Sequence, residues 1–298
     1  MNKNKKKKVL IVVLGILVAL VIVFAALLLS GVIDLNKPEP IPEVDPEPQV
    51  EVRVQPERQL WLDNKSINVD YVGEVVFDSG IINQPFVQAD DVYDENGNFY
   101  HFYNENGSVA SDPDLYNGND VYIWTNWRDM TYDYNILGGS VFMDYRNVLS
   151  DQNIIIYGHH FSEGGGNDPD RNKAFTPLEK LLESKNYQDG KTLKLILDNE
   201  TRSYELVGVY KYDVNDEFCV ENMQYYRTTY NYDEFSNSKD DEYYSNYIKG
   251  LDKLKLYDTD CTLTTDDNTL TLQTCISGQA GYIFEICVYK EVDVEYFD

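Results

Sequence analysis

Positive charge is scarce in this sequence once its first 32 residues are passed. Residues 33–298 hold 20 Lys and Arg against 51 Asp and Glu, a net of −31, while the five N-terminal lysines have no acid beside them. So acidic a body repels phosphate backbones, which excludes nucleic acid as a partner. Cysteine is sparse as well. Four in 298 residues make no disulfide framework, so the core has to come from apolar packing. Histidine is limited to His101, His159 and His160, with neither an H-E-x-x-H nor a C-x-x-C pattern, so no zinc site is expected. No arginine follows Arg227. Apolar residues, in contrast, make up 43% of the chain and aromatics 13%, which excludes a mainly disordered polypeptide.

The N-terminus is patterned for a membrane. Residues 1–8 form a basic tail, and Val9 to Ile33 runs 25 residues without a charge. About 20 apolar residues span a bilayer as a helix, so residues 9–33 are expected to be an uncleaved transmembrane signal-anchor. A cleaved signal peptide has a shorter apolar region, and L-L-L-S-G-V-I offers no small-x-small site. The lysines then stay in the cytoplasm and everything after residue 33 lies outside the cell, in a single-pass cell-membrane protein. Residues 34–58 carry six prolines among Glu and Asp, which suits an extended, semi-rigid stalk.

From residue 59 the chain reads mainly as strands. Val72–Val76, Val121–Trp124, Ser140–Met143, Asn153–Tyr157, Thr192–Leu197, Tyr204–Tyr212, Thr269–Thr274 and Tyr282–Tyr289 are short, β-branched or aromatic, and bounded by turn residues. About eight such strands predict a β-barrel or sandwich. Helices are expected at Thr176–Ser184, with Thr176 as N-cap, and at Asp240–Leu251, inside a Tyr-rich excursion over 213–260. Asn-Gly at 96–97 and 106–107 predicts a hairpin insertion over 92–120. Asp94, Asn96, Asn98 and Glu105 there match calcium-loop positions, but Phe99 stands where that loop needs Gly.

The candidate chemistry lies at two strand ends. N-I-I-I-Y-G leads into His159 and His160, and adjacent residues on an extended chain point opposite ways, so they make a poor two-ligand metal site. The residues alone fit either a structural His pair or a base at a sheet edge. His101, in the insertion, reads as an aromatic-face residue. Cys275 ends T-L-T-L-Q-T-C ahead of a small-residue loop, which makes it accessible as a nucleophile. Cys287 lies inside a strand and reads as buried and inert, and Cys219 and Cys261 lie in polar excursions.

N-I-I-I-Y-G-H and T-L-T-L-Q-T-C together resemble the two active-site segments of sortases. S-V-F-M-D-Y-R-N (140–147) and D-Y-V-G-E-V-V-F-D-S-G-I-I-N-Q-P-F-V-Q (70–88) resemble class B in particular. The resemblance covers about residues 69–298 outside the insertion. It implies an eight-stranded β-barrel with short helices. It also implies a cysteine transpeptidase with Cys275 as nucleophile and His159 at the catalytic histidine position, where His160 stands for the usual Asn. Such an enzyme cleaves a C-terminal sorting signal after Thr and passes the acyl group to an amine of a cell-wall precursor or pilin, without a cofactor. Thr274 and Tyr282 are candidate oxyanion or substrate contacts. The family's last-strand arginine has no counterpart, because Tyr282 or Phe284 occupies its place; Arg128, Arg171 or Arg227 would have to reach in from loops. The alternatives are a weakly active or inactive sortase-like surface binding protein, favoured by that missing arginine, and a hydrolytic cysteine peptidase on the same barrel.

Overall fold

The computed structural model describes residues 18, 20–27, 29–30, 55–93, 116–130, 139–160, 174–223, 241–276 and 282–297. Two units separate by contact, Met1–Arg53 and Val54–Asp298. In the first, residues 18, 20–27 and 29 are helical. Among the described residues no helix is long and apolar enough to cross a membrane.

In the second unit eight strands close into a barrel in the order β1-β2-β3-β4-β7-β8-β6-β5, so the mainly-β barrel expected from the sequence is present. They are β1 (Tyr71–Phe77), β2 (Asn83–Val87), β3 (Val141–Met143), β4 (Asn153–Tyr157), β5 (Thr192–Ile196), β6 (Glu200–Asp213), β7 (Thr269–Cys275) and β8 (Ile283–Tyr296). Pairing is antiparallel except for β2 with β3 and β4 with β7. Alternate side chains fill the interior with Val75, Phe77, Phe86, Ile154, Ile156, Leu193, Leu195, Leu270, Leu272 and Tyr289. The outer face of β6 and β8 is covered by α4 (Glu217–Asn222) and α5 (Asp241–Leu254), through Tyr210, Tyr212, Met223, Tyr244, Tyr247 and Leu251.

The segment Val121–Trp124, expected as a strand, is instead the end of helix α2 (Gly118–Trp124). Its apolar residues suit either state, and the capping box decides: the Asn117 side chain accepts from Asn119 N–H at 3.0 Å, and Asp120 accepts from Asn117 N–H at 2.8 Å. The eighth strand is β2, which the sequence hid behind Pro85. At the Tyr71–Val87 end of its pairing with β1 the register shifts, and the strand is only five residues long. Helix α1 (Pro56–Ile67) begins within the expected stalk, with Pro at its first position, where a missing N–H costs nothing. It clamps to β1: Asn64 Nδ2 donates to the buried Glu74 at 3.0 Å, and the Trp61 indole donates to the Val72 carbonyl at 2.8 Å.

Thr176–Leu182 forms a 3-10 helix rather than an α-helix, with Phe175 rather than Thr176 at the N-cap position and no side-chain cap. Its Leu178 and Leu181 plug the barrel, each burial contributing about 1.5–3 kcal/mol. Short turns, Ser184–Asn186 and α3 (Tyr187–Gly190), lead on to β5. Most of the expected hairpin, with His101 and the calcium-loop positions, lies outside the described residues, as do Arg171 and Arg227.

Candidate active site

Strands β4 and β7 run parallel in unbroken register from Asn153↔Thr269 to Tyr157↔Gln273. The ladder goes one step further, with Gly158 N–H donating to the Gln273 carbonyl at 3.1 Å. Two residues past the Tyr157↔Gln273 pair come His159 after β4 and Cys275 at the end of β7, at the same end of the barrel. A Cβ on Gly158 would run into the Phe175 ring, so only glycine lets the chain pass there. Phe175 N–H then fixes the turn by donating to the His159 carbonyl at 3.0 Å.

The His159 imidazole is held on two sides. Its Nε2 is hydrogen-bonded to the Ile123 carbonyl at the end of α2, and its ring lies 5.7 Å from the Trp124 ring, tilted by 39°. A carbonyl only accepts, so Nε2 carries the hydrogen and, in the neutral ring, Nδ1 carries the lone pair. Burial pulls the His159 pKa below its ordinary 6.5, with the Ile123 bond opposing, so the ring is neutral near pH 7. Gly139 presses against the same spot, since a Cβ there would collide with the Ile123 carbonyl and the His159 ring. Ser140 pins the segment after α2: its N–H donates to Tyr122 O at 2.9 Å and its hydroxyl to Thr125 O at 2.8 Å. His160 turns the other way, its Nε2 lying 2.8 Å from Glu179 Oε2.

Asp144, within S-V-F-M-D-Y-R-N, ties these elements together. Its carboxylate is fully buried. It accepts from Arg146 Nε and Nη2 at 2.9 Å each, from the Tyr157 hydroxyl at 2.8 Å and from Asn119 Nδ2 at 3.2 Å. One side chain thereby links the start of α2 to β4, the two elements that hold His159.

Cys275 ends β7, half-buried, and none of the four cysteines is in a disulfide. Burial raises the thiol pKa of Cys219, Cys261 and, most strongly, Cys287 inside the barrel, so those three stay protonated. Across the β7–β8 rung Cys275 faces Phe284, which packs toward α4 and α5. Tyr282, 61% exposed, lies just before β8, two residues from Phe284 and so on the same face as Cys275 by strand parity. Thr274 takes the opposite face, its hydroxyl buried in the interior among residues that include Leu270 and Leu272.

Among the described arginines, Arg58, Arg146 and Arg202 are in ion pairs with Asp198, Asp144 and Glu200, and Arg128 stacks on Trp127 at 5.2 Å. Among the described residues no group of three or more His, Cys, Asp or Glu could hold a metal ion. The sequence left Ile123, Trp124, Gly139 and Asp144 unassigned to the site. The Gly-Gly pair at 138–139 and the Asn-Gly-Asn-Asp start of α2 are the signals that pointed to them.

No protein-family model matches the chain. Sortase B of Staphylococcus aureus (strain NCTC 8325 / PS 47) is 28% identical over 158 residues, 52% of this chain and 54% of that protein, so the match spans about half the length of that relative. The structure of a Staphylococcus aureus sortase B–substrate complex superposes with a TM-score of 0.55 at 20% identity, covering 79% of this chain and 86% of that one. Clostridium perfringens sortase B superposes with a TM-score of 0.54 at 23% identity, covering 78% of this chain and 99% of that one. The barrel is thus the sortase B fold.

Proposed function

We propose, from a chain that is class B sortase-like in sequence and fold, that this protein is a cysteine transpeptidase held at the cell membrane by residues 9–33 with residues 34–298 outside. It would act on a C-terminal sorting signal, cleaving after Thr, and pass the acyl group to an amine of a cell-wall precursor or pilin. The observation that carries the reading is the β4–β7 register, which brings His159 and Cys275 to neighbouring ends of parallel strands.

The chemistry follows from the neutral imidazole. Nδ1 of His159 takes the Cys275 thiol proton as Sγ attacks the scissile carbonyl. The tetrahedral intermediate then collapses, His159 returns the proton to the leaving amine, and a thioacyl-enzyme remains. An incoming amine gives its proton to Nδ1, displaces Sγ and completes the transfer. The Ile123 carbonyl stabilises the imidazolium formed midway and, by holding the hydrogen on Nε2, leaves the proton transfer to Nδ1. We assign the oxyanion donor to the Tyr282 hydroxyl, because Phe284 offers no donor at the rung opposite Cys275.

Incubating the full chain with a panel of sorting-signal peptides, with and without amine acceptors, tests this by mass. An adduct on Cys275 that acceptor amines discharge into a peptide–amine product supports transpeptidation. Discharge by water alone would mark a peptidase. The second reading, a sortase-like surface protein that binds such peptides without turning them over, is favoured by the neutral Phe284 opposite Cys275; peptide binding with no adduct on any peptide would establish it.

A further inference from the structure

The Cys275 end of the barrel holds a buried carboxyl group that the chemistry above does not use. Glu285 on β8 stands directly across the rung from Thr274 on β7, the residue before Cys275. Both point inward, Glu285 fully buried and Thr274 2% exposed. Glu285 Oε1 accepts from the Cys287 thiol at 3.8 Å, whereas Glu285 Oε2 and Thr274 Oγ1 are buried without a hydrogen-bond partner among the described residues. Facing side chains on one rung have Cβ atoms about 4.5–5.5 Å apart, so a rotamer change or one water joins the two oxygens. A carboxylate cannot donate, so the carboxyl proton gives the pair a second hydrogen to share beyond that of the hydroxyl.

The surroundings keep that proton in place. Burial first, then the Glu179 carboxylate on the 3-10 helix, pushes the Glu285 pKa up to about 8. Glu179 in turn holds His160. Lys211, across the β6–β8 rung from Glu285, is the cation opposing the shift, and among the described residues Cys287, Tyr289 and Tyr257 also lie within reach of the carboxyl, all three raised first by burial.

We propose that Glu285, as a neutral acid, braces Thr274 across the β7–β8 rung behind Cys275 and is a positioning residue for that thiol, which loses reactivity when Glu285 ionises. Ionisation removes the shared hydrogen and places a buried negative charge one residue from Sγ, which disfavours the thiolate. The proposal rests on Cys275 being the reacting group, so its test is separated from any peptide.

The full chain is treated with iodoacetamide between pH 6.5 and 9, alkylation at Cys275 is followed by peptide mass, and thermal melts run alongside. Wild type is compared with Glu285→Gln, which keeps a donor but never ionises, and with Glu285→Leu, which keeps neither. The Gln variant should match wild type at pH 6.5 and alkylate about threefold faster at pH 9. In peptide acylation the Leu variant should lose kcat with KM held, and Gln should restore it. Coincident alkylation profiles for wild type and the folded Gln variant would overturn the proposal, whether or not the Leu variant folds. A divergence at pH 9 with no acylation of any peptide would uphold it and remove the transpeptidase reading instead.

Discussion

The imidazole of His159 is hydrogen-bonded through Nε2 to the main-chain carbonyl of Ile123. A backbone acceptor holds this histidine where many hydrolytic sites use a carboxylate, so its orientation depends on where α2 ends and cannot be removed by changing one side chain. The handle that does exist is Gly139. Gly139→Ala should push the carbonyl and the ring apart, lowering acyl-enzyme formation at least about tenfold and, because the nearest clash is with main chain, lowering the melting temperature as well. Acylation rates on a single peptide, with melts run alongside, decide between a local effect and general unfolding.

His159→Ala should be nearly inactive and His160→Asn nearly normal, because the His159 ring is held by Ile123 next to the β4 end while His160 is turned to Glu179. Kinetics showing the reverse would place the working base on the other histidine.

Cys275→Ala should abolish acylation and leave the fold intact. Ala at Cys219, Cys261 or Cys287 should leave activity in place, with Cys287→Ala costing about 1–2 kcal/mol as a fully buried small apolar group. Intact-protein mass and denaturant midpoints for the four variants check both halves.

Arg146→Ala leaves the buried Asp144 carboxylate with neutral donors only. It should destabilise the chain by about 3 kcal/mol and lower activity with it, since Asp144 joins α2 to β4. Asp144→Asn together with Arg146→Ala should recover part of the stability, because no buried charge then remains unpaired. Urea titrations of the single and double variants measure this directly.

Glu285 also predicts how stability varies with pH. Its folded pKa of about 8 lies above the ordinary 4.5, so the folded state keeps a proton that the unfolded chain releases. The stability tied to that proton is fully present below pH 4.5 and is lost as pH rises to about 8. Glu285→Gln should remove this slope, leaving the variant more stable than wild type at pH 8 by an amount on the order of a few kcal/mol. Melting temperatures across the pH range should therefore converge at acid pH and separate toward alkaline pH.

The neutral residues opposite the thiol give a gain-of-function test. Arg at 284, on the Cys275 rung, or at 282, two residues away on the same face, should raise the acylation rate by adding a cation near the developing oxyanion. Tyr282→Phe should lower it, and rates on one peptide for the three variants rank the positions.

The strands that carry His159 and Cys275 were legible in the sequence because each is a β-branched run closed by a turn signal. β6 and β8 run several residues beyond their expected ends, into a ribbon where alternation continues with charged residues. Val121–Trp124 was misread because four apolar residues carry no period of their own, and the deciding signal lay in the polar cap ahead of them. β2 was missed because proline ordinarily marks a strand's absence. The Ile123 contact could not be read at all, since a main-chain carbonyl has no side-chain signature. Glu285 carried no signal of its own in the sequence, since only the closed barrel turns it inward.

The clamp of α1 on β1 has a mechanical consequence. In the barrel order, β1 lies four strands from β7 in either direction, so the helix grips the wall farthest from Cys275. Tension arriving along the chain ahead of Pro56 enters at Asn64–Glu74 and Trp61–Val72, and would strain β2 and β5 before it reaches the thiol. The α1 clamp and the Cys275 strand end thus stand on opposite walls, and a load on the first would have to pass through the barrel to misalign the second.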